Sequence, residues 1–98
     1  MIPKTIEVYS EESNQAVVRM PGRKFPGLVL QGDSLQQLLE LVQEAQQHAG
    51  QLAGNHTPNT EDLESTLAYL RERIEAYLSS YESTLAAHGI PLPYVKGT

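Results

Sequence analysis

The chain has 98 residues, no cysteine, no tryptophan and a net charge of −5 at pH 7. That length suits one domain, residues 1–98, whose core must be built mostly of Leu and Val because Phe occurs once. Without cysteine there is no disulfide framework, no thiolate metal site and no cysteine nucleophile, which fits a reducing compartment. No apolar run approaches the length of a membrane span, and the N-terminal MIPKTIEVYSEE lacks the basic-then-apolar plan of a signal peptide, so a soluble cytoplasmic protein away from the membrane is expected. Charge is placed unevenly: residues 1–31 sum to +1 and residues 32–98 to −6. The C-terminal part would repel a phosphate backbone, which argues against DNA as a partner.

The expected elements begin with two alternating stretches, Thr5–Ser10 and Gln15–Met20, in which apolar and polar residues exchange at every step as in half-buried strands. The polar Glu11-Glu12-Ser13-Asn14 between them suits a hairpin loop, with Asn14 at a position that tolerates left-handed backbone. Pro21-Gly22 and Pro26-Gly27 then bracket Arg23, Lys24 and Phe25 in a loop with stiff, sharply turned ends. The apolar run Gly27–Gln31 reads as a third, buried strand. The three strands form an antiparallel meander over residues 1–31.

A first helix is expected over residues 33–53. Asp33 stands at the N-cap position with Gln36 three residues on, the spacing of a capping box. Leu35, Leu38, Val42, Ala45 and Ala49 recur at three- and four-residue steps, a stripe that should lie on the sheet. Gly54–Asn59 is a loop, and Asn59 or Thr60 can cap a second helix over residues 60–88 with Glu61, Asp62 and Glu64 near its positive end. Its apolar stripe is Leu63, Leu67, Leu70, Ile74, Tyr77/Leu78, Tyr81 and Leu85. His88-Gly89-Ile90-Pro91 is a stop signal of the Schellman type. Residues 89–98 form a Pro-rich extended tail. The fold class is therefore α+β, in the order β-β-β-α-α with a long second helix.

A helix from 60 to 88 would be about 43 Å long at 1.5 Å per residue, more than the diameter of a compact chain of this size. Either one end overhangs with part of its stripe open to a partner, a homodimer or helix-mediated heterocomplex through Leu70, Ile74, Tyr77 and Tyr81, or helix one and the tail cover the stripe.

Catalysis and metal binding find little support. His48, His56 and His88 lack any spacing that would set two ligands on one helix face. Ser34 lies in no nucleophile elbow, and Asp33 is used by capping. No catalytic residue, metal or cofactor is expected. Arg19, Arg23 and Lys24 with Phe25 form the best partner-binding candidate, cations beside an aromatic anchor; the alternative is that Phe25 is core and the cations pair with Glu7 or with the acidic helices. As a surface they suit an acidic protein, with RNA as the weaker alternative. On helix two, Glu72 and Glu75 belong to an acidic face that could cover a basic active site.

The segment FPGLVLQGDSLQQLLELVQEA resembles the HicB-like antitoxin fold in its Pro26, Gly27, Gly32, Asp33, Ser34, Leu35, Glu44 and Ala45. The whole pattern, through to the HGIPLPY tail, also looks like a family of small uncharacterised bacterial proteins. The antitoxin resemblance implies a sheet-and-helix module that binds a cognate protein, a toxin. The expected function is therefore non-enzymatic: neutralisation of a toxin, as an antitoxin or immunity protein, by occlusion. The alternatives are an adaptor homodimer assembled through helix two and a small RNA- or ligand-binding module.

Overall fold

The computed structural model describes residues 1–12, 15–52 and 58–96, with the backbone alone for Glu12, Pro58 and Asn59. Strands β1 (Glu7–Glu12), β2 (Gln15–Arg19) and β3 (Gly27–Leu30) form an antiparallel meander in that order, followed by helices α1 (Gly32–Leu52) and α2 (Pro58–Ala87). The α+β class and the β-β-β-α-α order are as the sequence predicts. The hairpin loop at Ser13-Asn14, His56 and most of the Gly54–Asn59 loop lie outside the described residues.

In the first hairpin Val8 pairs with Val18, then the register shifts so that Ser10, Glu11 and Glu12 face Val17, Ala16 and Gln15. One extra residue at Tyr9 makes a bulge, and β1 both starts and ends two residues later than the expected Thr5–Ser10. Between β2 and β3 the Arg23 N–H donates to the Met20 carbonyl at 3.1 Å. With Pro21 second and Gly22 third at φ +81°, this is a type II turn, where only glycine takes the positive φ without strain.

The helices pair antiparallel along a seam. Leu39 and Val42 of α1 meet Ile74 and Leu78 of α2, with Leu35 and Tyr94 packed against them. Gln46 accepts a hydrogen bond from Arg71 further along, at 3.0 Å. At the near end Gly32 lies so close to the Tyr81 ring that a Cβ would overlap it. Burial of α2's stripe is thus the work of α1.

This corrects the expectation that α1 lies on the sheet. The core cluster contains no strand residue, and the close-packed pairs of elements are α1 with α2, β1 with β2 and β2 with β3. Strand β3, predicted to be buried, is exposed throughout. The apolar steps that sequence periodicity supplies for a helix-on-sheet contact serve a helix-on-helix contact equally well. The result is an open body of 54 × 32 × 22 Å with a radius of gyration of 17.3 Å, where a compact chain of this length would have about 13 Å.

Helix ends also differ in detail. Gln31 supplies the first helical carbonyl, accepting from Leu35 N–H at 3.1 Å, so α1 starts one residue early. Asp33 sits inside the first turn, where its Oδ1 accepts the Ser34 N–H at 2.9 Å, and no Asp33–Gln36 box closes. Helix α2 begins at Pro58, a residue suited to the first turn because its missing N–H would have no helical acceptor; Asn59 and Thr60 are inside the helix rather than capping it. Its far end closes as expected, with Ile90 N–H on the Leu85 carbonyl at 2.9 Å, Gly89 N–H on Ala86 at 3.2 Å and Gly89 at φ +67°.

The two helical glycines of α1 should respond oppositely to alanine. Gly32→Ala forces Tyr81 off its seat and should destabilise by about 1–3 kcal/mol. Gly50, where an added Cβ meets nothing within 4 Å, should gain roughly 0.5–1 kcal/mol. Urea denaturation of the two variants gives both signs.

Candidate functional site

Alternation and register assign the sheet's two faces. Val17, Leu28 and Leu30 share one face, and Val8, Ala16, Val18 and Val29 share the other. By the same register the first face also carries Glu7, Ser10, Gln15 and Arg19, and the second Glu11, so neither is wholly apolar. Among the described strand side chains only Val18, in the middle strand, is buried, while Leu28, Val29 and Leu30 remain 38–58% exposed. Among the described residues the sheet ends at β3 on that side, which makes β3 an edge strand.

The turn between β2 and β3 extends this surface. Phe25 is 74% exposed and carries Lys24 over its ring at 5.3 Å. Arg23 and Lys24 are exposed beside it. The sequence placed Phe25 with Arg23 and Lys24 as an anchor among cations, and the structure brings these three together on the surface. Arg19 is engaged otherwise. It pairs with Glu7 across the hairpin, and Tyr9 also donates to that carboxylate at 3.1 Å. The Arg19 guanidinium holds the Glu7 carboxyl below its usual range, with a smaller contribution from Tyr9.

The helical candidates divide in the same way. Ile74 is buried in the chain's own core and Tyr81 packs on Gly32, so neither is available as an interface residue. Leu70 and Tyr77 are open, and Arg73 stacks on Tyr77 at 5.5 Å while donating to its hydroxyl at 3.0 Å. Glu75 accepts from Arg71 at 3.2 Å, whereas Glu72 is exposed to solvent.

Along one side of the helical pair runs a polar cleft of 520 Å³, lined by Gln36, Glu40, Gln43, Arg71, Glu75 and Glu82 among others. The tail folds back over its rim. Tyr94 donates to Glu82 at 2.7 Å, and Lys96 pairs with the same carboxylate at 3.1 Å. Burial and then the Glu82 carboxylate push the Tyr94 hydroxyl well above its ordinary range, and the Tyr94 bond holds Glu82 below its own. Sequence reading missed this strap, because Glu82 and Tyr94 are on separate elements and only the chain reversal at Gly89 brings them together.

His48 and His88 are the described histidines. His48 lies 3.7 Å from Glu44, His88 donates from Nδ1 to the Thr84 carbonyl at 2.9 Å, and no cluster of three or more candidate ligands occurs among the described residues. Among those residues no helix is long and apolar enough to cross a membrane. What the fold presents at the sheet is an exposed strand, β3, beside a turn that carries Phe25, Arg23 and Lys24.

A meander joined end-on to an antiparallel helical pair defines the class of this protein. The chain belongs to DUF6959, a family of unknown function whose model matches residues 1–94. No curated protein and no solved structure matches it.

The strap gives a pH signature. Glu82's depressed pKa means its contribution is complete above the ordinary carboxylate value of 4.5 and is lost as the pH falls through the lower folded value. NMR should therefore show the Tyr94 ring losing its packed environment in acid. In Glu82→Gln that transition should vanish. Tyr94→Phe should cost about 1 kcal/mol at neutral pH.

Proposed function

We propose that this chain is a non-enzymatic protein-binding module that neutralises a cognate toxin by covering its working surface. The observation that carries the binding role is the exposure of β3 along its whole length beside an open edge. An extended segment of a partner can add to that edge as a further strand, its backbone pairing with β3 and its side chains alternating over Leu28 and Val29. Phe25 supplies the apolar anchor of such a contact, and Arg23 and Lys24 favour a segment carrying carboxylates. The acidic Glu72 face of α2 would meet basic surface on the same partner. That the partner is a toxin rests on the likeness of residues 25–45 to the HicB-like antitoxins.

The test is co-expression with the product of the adjacent gene. A one-to-one complex that relieves its toxicity is expected, with Phe25→Ala weakening it by about thirtyfold, as for an interface hot spot. Arg23→Glu should act mainly on the association rate and lose effect at high salt. A complex indifferent to both substitutions would place the contact elsewhere.

A further inference from the structure

The seam leaves apolar residues of both helices exposed, among them Leu38, Leu52, Leu63, Leu70 and Tyr77. Leu38, Ala45 and Leu52 of α1 are spaced seven residues apart, and so are Leu63, Leu70 and Tyr77 of α2. A seven-residue step returns a side chain to nearly the same helix face, so each set forms a straight row. The antiparallel register fixed by Gln46 with Arg71 and by Leu39 with Leu78 sets Leu38 roughly level with Tyr77, Ala45 with Leu70 and Leu52 with Leu63. Both rows lie on the flank away from the polar cleft that Gln43, Arg71 and Glu75 line. All but the half-buried Ala45 are 42–62% exposed.

We infer that this flank is the seat of a second copy of the chain, two helical pairs meeting across a two-fold axis as a four-helix bundle. Three matched layers at heptad spacing are what such packing needs: each helix shows one apolar row to its own neighbour and one to the other pair. Charge placement allows it. Each copy carries −5, yet Glu40, Glu75 and Glu82 line the cleft on the opposite side, and at about 100° per residue Glu44 and Glu72 project away from the rows. A foreign partner of basic character would be expected to meet carboxylates here, and the rows contain none. Area points the same way. The chain exposes 7812 Å², about 2,300 Å² more than a compact monomer of 10.8 kDa would. Two copies carry roughly 4,600 Å² of such excess, spread over sheet and helices, and an obligate dimer, which buries about 2,000–5,000 Å² in total, covers a large part of it. The flank is separate from β3 and the Arg23–Phe25 turn, so a second copy leaves the proposed partner surface open.

Sedimentation equilibrium over a wide concentration range tests this directly. A species of twice the 10.8 kDa chain mass is expected, and Leu70→Glu should weaken it by about thirtyfold or more while helicity by circular dichroism is kept. Leu28→Glu, on the sheet, should leave the dimer intact. Should Leu70→Glu fail to fold, the cysteine-free sequence allows single thiols instead: Leu70→Cys should form a covalent dimer with a short bis-maleimide and Glu72→Cys should not. A monomer at every concentration overturns the inference, as does a dimer lost on Leu28→Glu and indifferent to Leu70→Glu, or equal crosslinking at positions 70 and 72. A dimer that persists while no toxin complex forms would count against the proposed function alone.

Discussion

The seam between α1 and α2 carries most of the burial that this chain achieves. Leu39, Val42, Ala49, Ile74 and Leu78 are the buried apolar residues of the helices, and Val18 is their counterpart in the sheet. Each of the Leu, Ile and Val side chains contributes about 1.5–3 kcal/mol relative to exposure, and Ala49 less. The overlap of the helices and the path of the tail are set by that contact. The close approach at Gly32, where Tyr81 takes the space of a side chain, sets where the helices start to overlap, and the tail is drawn back over the cleft because Tyr94 finds both apolar neighbours and the Glu82 carboxylate there.

Because the helices satisfy each other, the sheet is left to hold itself. Its cross-strand pairs, such as Val8 with Val18 and Val17 with Leu28, and the Arg19–Glu7 pair supply local stability. A three-stranded sheet with an apolar face is near the smallest unit that can persist in water. It does so here with both faces and an edge unfilled, an arrangement that favours association over independence. The helical flank has the same character, with different geometry: rows at heptad spacing in one case, an open strand edge in the other. Two unlike surfaces on one small chain can serve two contacts at once.

The elements themselves were legible in the sequence because each depends on neighbours along the chain. Alternation in residues 15–20, the Pro-Gly pairs, the three-four rhythm of both helices and the Gly89-Ile90-Pro91 stop all act within a few residues, and each produced the expected strand, turn, helix or cap. The pairing of Phe25 with Lys24 and the openness of Arg23 follow from the same local constraint, a short stiff loop with little room to bury three large side chains. Where local signals competed, the ends moved: β1, with its bulge at Tyr9, shifted two residues along the chain, and the Gln31 carbonyl took the role expected of Asp33.

What faces what was decided only in three dimensions. Periodicity states that a helix has an apolar side without saying what covers it, so the stripe predicted to rest on the sheet rests on α2, and β3 is bare. For the same reason Ile74 and Tyr81 were indistinguishable from Leu70 and Tyr77 in the stripe, although the first two are spent inside the chain and the others remain open. Glu82 and Tyr94 meet across the Gly89 reversal because of chain path, which no spacing rule encodes, whereas Glu7 was legible as an acceptor for the cations, Arg19 among them. The sequence by itself determined which residues would form strands and helices, since those choices are settled by short-range backbone and solvation preferences; the tertiary structure decided which apolar surfaces were consumed and which left over, since that depends on the competition between distant segments for the same contact.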